Sequence, residues 1–156
     1  MSAAAENKLS ILFADVVGST QLYENLGDER VRETVQQCLR VMKQATENFG
    51  GAVIKTMGDE VMSTFPSADD ALNAANQMQQ RITNSMRVDA QGTHVAIRIG
   101  CHYGPVQLEE RDISGVAVHT ANSMTSQAKA GQILITSAVV DQLSPQWKAL
   151  VRQIDV

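Results

Sequence analysis

Two aspartates stand where a carboxylate needs a physical reason. Asp15 lies late in the apolar run LSILFADVV, residues Leu9 to Val17, where an ionised group is costly unless something compensates its charge. Asp59 follows Gly58 between two strand-like stretches, AVIKTM and EVMSTF, and Gly-Asp suits a tight hairpin turn. If that hairpin pairs beside the first strand, both carboxylates meet at one end of one sheet. Two convergent carboxylates with few other ligands suit Mg²⁺, which keeps waters and completes its shell with phosphate oxygens. Gly18, Ser19 and Thr20 form a turn directly after the first strand and offer backbone N–H groups to such phosphates. Taken singly, these features are commonplace, since Gly-Asp turns are frequent and a strand-end Asp is more often structural. Their joint spacing leaves a metal-phosphate site and a pair of structural carboxylates equally open.

The elements that must position these residues follow from periodicity. The run Leu9 to Val17 reads as a buried strand. From Asp28, apolar residues recur at Val31, Val35, Cys38, Leu39, Met42, Ala45 and Phe49, which predicts a long amphipathic helix stopped by Gly50 and Gly51. The hairpin comes next. Pro66 ends its second strand, and Ser67 caps a second helix carrying Ala71, Ala74, Ala75, Met78 and Ile82. HVAIRIGCHY is a strand reaching Gly104-Pro105, with a short strand beyond. A third helix is expected from about Val116 to Ala130, then the strand ILIT, a short helix from Ser137 to Leu143 and a last strand from Val151 to Val156. The order matches an α+β sandwich with a ferredoxin-like βαββαβ core, helices on one face of a mainly antiparallel sheet, and an extra C-terminal helix and strand.

Composition narrows the classes. At 156 residues, 44% hydrophobic and 19% charged, the chain fits one globular domain, read as residues 9–156 after an N-terminal extension 1–8. A net charge of -4 with 13 scattered basic residues argues against a nucleic-acid partner. The start MSAAAENK has no leader pattern and no run is long enough to span a bilayer, so a cytoplasmic location without membrane insertion is expected. Cys38 and Cys101 sit in helix and strand patterns and are expected to be reduced and buried.

The segments FADVVGST, GGAVIKTMGDEVMSTF, RIGCHYGPV, DISGVAVHTANSM and AKAGQILIT, in that order over about Leu9 to Thr136, resemble the class III adenylate and guanylate cyclase catalytic domain. The resemblance implies that two Mg²⁺ or Mn²⁺ ions bind Asp15 and Asp59 beside the backbone of Val16. Through them the ribose 3′-hydroxyl is activated to attack the α-phosphate and release pyrophosphate. It also implies that Lys55 and Asp112 read adenine. A lysine donates to a ring acceptor and a carboxylate accepts from the exocyclic amine, which makes ATP the expected substrate. Without the resemblance, Lys55 reads as a solvated strand-end lysine and Asp112 as a polar loop residue. The resemblance further implies a homodimer, or a heterodimer, with each active site between two domains: metal carboxylates from one, base-reading and transition-state residues from the other.

The pattern departs from the family at two positions. Where the family has a ribose-orienting Asn and, four residues later, an Arg that stabilises phosphate charge, this chain has His119 and Ser123. One helical turn apart, they point to the same place. His119 still has a ring N–H to donate to a ribose oxygen; it reads equally as an ordinary interfacial histidine. Ser123 carries no charge and is too short to replace a guanidinium. Asn122 is turned about a hundred degrees away on the helix and is no substitute for the amide. The family's phosphate-binding Lys belongs to a C-terminal strand pair that would begin at Val156. The expectation is an adenylate cyclase domain of reduced activity, with a degenerate cyclase domain that binds nucleotide or dimerises without turnover as the alternative. A diguanylate cyclase-like reading rests on MGDE alone and conflicts with DISGVAVHTA. A plain interaction module predicts no special effect of replacing Asp15 or Asp59.

Overall fold

A computed structural model describes residues 7–18, 28–85 and 95–154. The first strand, β1 (Asn7–Val17), is central, and its apolar run is continuous because both of its faces are covered. Leu12, Ala14 and Val16 enter one core cluster, while Ile11 and Phe13 enter another on the opposite face. Helix α1 (Asp28–Asn48) buries Val31, Val35, Cys38, Leu39, Met42 and Ala45, as the spacing predicts. Gly50, at φ +75°, ends it in the left-handed conformation, and the Gly51 amide donates to the Thr46 carbonyl at 2.9 Å.

β2 (Ala52–Met57) and β3 (Glu60–Phe65) form the expected hairpin, with Gly58 at φ +63°. In α2 (Ala68–Ser85), the amide of Asp70 donates to Ser67 Oγ at 3.2 Å, the predicted cap. β4 (Ala96–Glu109) pairs antiparallel with β1, which gives the order β2-β3-β1-β4 of a ferredoxin-like core with α1 and α2 against one face.

The chain differs from expectation in several places. β4 does not break at Gly104-Pro105: Lys8 pairs with Pro105, and flanking pairs Leu9–Gly104 and Asn7–Val106 hold the register across the missing donor. Beyond it, β5 (Asp112–Ser114) folds back on the end of β4, and β6 (Ile133–Ile135) pairs with β4 in parallel. The added helix α3 (Val116–Gln127) ends before Ala130 and lies on the face opposite α1 and α2. There Ala117 and Ala121 join Ile11, Phe13, Met62, Val106 and Ile113. Gly100 permits this: a Cβ there would lie 2.1 Å from the Thr125 amide nitrogen.

After α4 (Ser137–Gln142) a further short helix, α5 (Pro145–Lys148), starts at Ser144, whose Oγ accepts from the Trp147 amide. The last strand predicted from Val151 is not formed over residues 151–154. Val151 packs against the first core cluster, and these residues join no sheet. The remaining two residues of that strand, 155 and 156, lie outside the described ones. Cys38 and Cys101 are free and buried.

Candidate functional site

Antiparallel pairing brings Asp15 opposite Glu60 on β3 and opposite Arg98 on β4, so three charged side chains form a row across one face. This is the α3 face, since Asp15 follows Phe13 by two residues. Asp59, in the turn, is tied to β1 by its carbonyl, which accepts from the Val16 amide at 3.2 Å. Its carboxylate meets that of Asp15 in a hydrogen bond. The predicted convergence of Asp15 and Asp59, with the backbone of Val16 beside them, is therefore present.

The pair is electrostatically loaded. Burial pushes the Asp15 carboxyl up to about 6, assisted by the hydrogen bond to Asp59 and its charge, with Arg98 opposing. Glu60 is raised to about 7, first by burial and then by the charges of Asp15 and Asp59, again against Arg98. Arg98 Nε and Nη2 both donate to Asp15 Oδ2, at 3.1 and 3.0 Å, and Nη1 donates to the Ser126 carbonyl of α3 at 3.2 Å. A site that collects carboxylates and spends a guanidinium on one of them has the charge to hold a cation. Among the described residues no three His, Cys, Asp or Glu side chains form a complete ligand set. The two aspartates would leave the remaining positions to water and phosphate, as Mg²⁺ prefers.

Gly18 closes β1 at φ +71°. Ser19 and Thr20, expected with it at the phosphates, lie outside the described residues.

Lys55 and Asp112 are brought together. Lys55 Nζ and Asp112 Oδ2 are 3.0 Å apart, although β2 and β5 sit at opposite ends of the strand order. The fold-back of β5 accounts for this, since Ile113 joins Met62 in the second cluster and Ile54 packs against it. The Asp112 carboxyl is held below its usual range, first by the Ile113 amide, which donates to Oδ1 at 2.8 Å, and then by Lys55. Both side chains remain partly exposed, at 40% and 35%, so their polar atoms stay open to a ligand.

His119 and Ser123 share the exposed side of α3, opposite the buried Ala117, Ala121 and Thr125. Among the described residues no hydrogen bond or ion pair joins either to Asp15, Asp59, Lys55 or Asp112. Asn122 is exposed as well.

Sequence reasoning missed Arg98 and Glu60. Arg98 had a readable signal: in AIRIG it alternates with Ile97 and Ile99, so an arginine on a central strand demanded a carboxylate across from it. A cavity of about 1120 Å³ lies elsewhere, lined by His102, Val106, Glu109, Gly115, Val116 and Thr120 among others. Glu109 is the one charged group among its described lining residues, a poor match for a triphosphate.

The antiparallel core, the paired aspartates and the Lys55–Asp112 pair together define an α+β sandwich of the nucleotidyl cyclase type. The chain belongs to the adenylate and guanylate cyclase catalytic domain family, matched over residues 1–155. Among curated relatives it is 30% identical to an adenylate cyclase of Streptomyces coelicolor, over 88% of this chain and 35% of that protein. It is 32% identical to one of Streptomyces griseus, over 85% and 32%. The chain thus spans about a third of the length of these relatives. Among solved structures, the catalytic core of a rhodopsin-guanylyl cyclase with converted specificity, in complex with ATPαS, has a TM-score of 0.80. It is 24% identical, with 90% of this chain and 83% of that one covered, a likeness of fold. An adenylate/guanylate cyclase/hydrolase from Silicibacter pomeroyi has a TM-score of 0.74 and 28% identity, covering 88% and 80%. Among the described residues no helix is long and apolar enough to cross a membrane.

Proposed function

We propose that the domain converts ATP to 3′,5′-cyclic AMP and pyrophosphate, as a dimer with its sites between two copies. The observation that carries this reading is the meeting of the Asp15 and Asp59 carboxylates at the end of β1. Asp15, Asp59 and the Val16 backbone would hold two Mg²⁺ or Mn²⁺ ions. When bound, these neutralise the triphosphate and acidify the ribose 3′-hydroxyl. The 3′-oxygen then bonds to the α-phosphorus, the bond to the leaving pyrophosphate breaks, and the hydroxyl proton passes to solvent. Arg98 adds positive charge on the face where the phosphates gather. Lys55 Nζ donates to a purine ring nitrogen while Asp112 accepts from the exocyclic amine, a pairing that favours adenine over guanine. The adenylate cyclases of Streptomyces support the same substrate.

A second reading has an observation of its own. His119 and Ser123 occupy the exposed side of α3 and supply no guanidinium, which favours a domain that binds nucleotide with little or no turnover. Purified protein with Mn²⁺ and either ATP or GTP separates the two by the cyclic nucleotide formed. Cyclic AMP from wild type and none from Asp59→Ala supports the enzyme. ATP binding without product, in wild type and in the double change His119→Asn with Ser123→Arg, supports the silent domain. Absence of both binding and product overturns both.

A further inference from the structure

We propose that Glu60 is a third carboxylate of the cation centre, acting on the bound metal by its charge and through metal-bound water rather than as a direct ligand. The inference rests on the metal reading of Asp15 and Asp59 and deepens it. Three observations carry it. Glu60 directly follows Asp59 and stands opposite Asp15 in the β1–β3 ladder, so its side chain leaves the sheet on the same face. It is half-buried, and no hydrogen bond or ion pair to its carboxylate is formed among the described residues. The neighbouring cation, Arg98, places both its Nε and its Nη2 on Asp15 Oδ2 and its remaining nitrogen on the Ser126 carbonyl.

A half-buried carboxylate beside two others, with the guanidinium beyond Asp15 engaged elsewhere, is unfavourable by itself. A divalent cation on Asp15 and Asp59 removes the imbalance. Counting formal charges, Asp15, Asp59 and Glu60 against Arg98 leave the cluster at two negative charges; without Glu60 one would remain. Since no three such side chains converge as a ligand set among the described residues, Glu60 acts from the outer shell. Groups in that shell typically change metal affinity by about tenfold to a hundredfold.

The test uses Mn²⁺ as probe, with bound and free ion counted by electron paramagnetic resonance at pH 8 without nucleotide. Wild type, Glu60→Gln, Glu60→Asp, Asp15→Asn and the distant control Glu109→Gln are compared, each also melted with and without Mn²⁺. Glu60→Gln is expected to weaken Mn²⁺ binding about tenfold or more. Its metal-free melting temperature should be equal to or above that of wild type, because a repulsion has been removed. Glu60→Asp should recover part of the affinity, and Glu109→Gln should match wild type. A merely structural glutamate would instead lower the metal-free melting temperature and leave affinity alone. Wild-type affinity in Glu60→Gln overturns the inference while the metal reading stands on Asp15→Asn. Equal binding by wild type and Asp15→Asn, or none by wild type, overturns the metal reading and this inference with it. Should Glu60→Gln fail to fold, Glu60→Asp decides: affinity equal to wild type despite a displaced carboxylate counts against the proposal.

Discussion

Without metal, the carboxylate row should make the protein less stable at pH 8 than at pH 5, and Asp15 should account for much of the difference. The Asp15 carboxyl is raised from 3.8 to about 6 in the folded chain. A group whose folded value lies above its unfolded one stabilises the fold fully below the unfolded value and loses that contribution as pH rises through the folded value. The window for Asp15 therefore runs from about pH 4 to about pH 7. A rise of about two units corresponds to about 3 kcal/mol at most, and partial access of water lowers the expected effect to about 1–2 kcal/mol. Glu60, raised to about 7 by burial first and then by the charges of Asp15 and Asp59, acts in the same direction. His102, lowered by burial, opposes both, because its neutral form is lost as pH falls. The assay is urea unfolding in EDTA at pH 5 to 8 for wild type and Asp15→Asn, where the His102 contribution cancels in the difference. Asp15→Asn should gain on wild type by about 1 kcal/mol or somewhat less between pH 5 and pH 8, because part of the window lies below pH 5. A difference that is constant with pH, or that moves the other way, would refute the electrostatic account of the row.

Other perturbations test separate parts of the structure. Gly100→Ala places a Cβ against the Thr125 backbone and should cost about 3 kcal/mol or more in urea unfolding, because α3 must move off the sheet. Lys55→Ala should change stability by no more than about 1 kcal/mol, since its ion pair is exposed, yet reduce the preference for ATP over GTP about tenfold or more in initial rates. The double change His119→Asn with Ser123→Arg should raise cyclic AMP production about a hundredfold, the usual scale of a transition-state charge donor. Mixing inactive Asp59→Ala with inactive Asp112→Ala should restore about a quarter of wild-type activity if the two residues serve one site from different copies. No recovery would place them in the same copy's site.

The sequence made some of this legible and hid the rest for physical reasons. Asp15 stood out because a carboxylate in FADVV contradicts its surroundings, and Asp59 because Gly58 fixes the turn beneath it. The partnership of Lys55 with Asp112 was visible only through family likeness. Nothing in local periodicity foretells that β5 folds back over Met62 and Val106. The side taken by α3 was likewise hidden: its buried stripe is Ala117, Ala121 and Thr125, small residues with little hydrophobic contrast. The break read at Gly104-Pro105 assumed that a missing donor ends a strand, whereas the ladder with β1 runs through it. Val151 and Ile154 resemble a strand in composition but meet no sheet edge.

The most direct test of the central claim is the cyclic AMP formed from Mn²⁺ and ATP by wild type beside Asp15→Asn, identified by mass. Product from wild type that falls to background in the amide variant, with the fold intact by circular dichroism, is the predicted result. Equal product from the two proteins would contradict it.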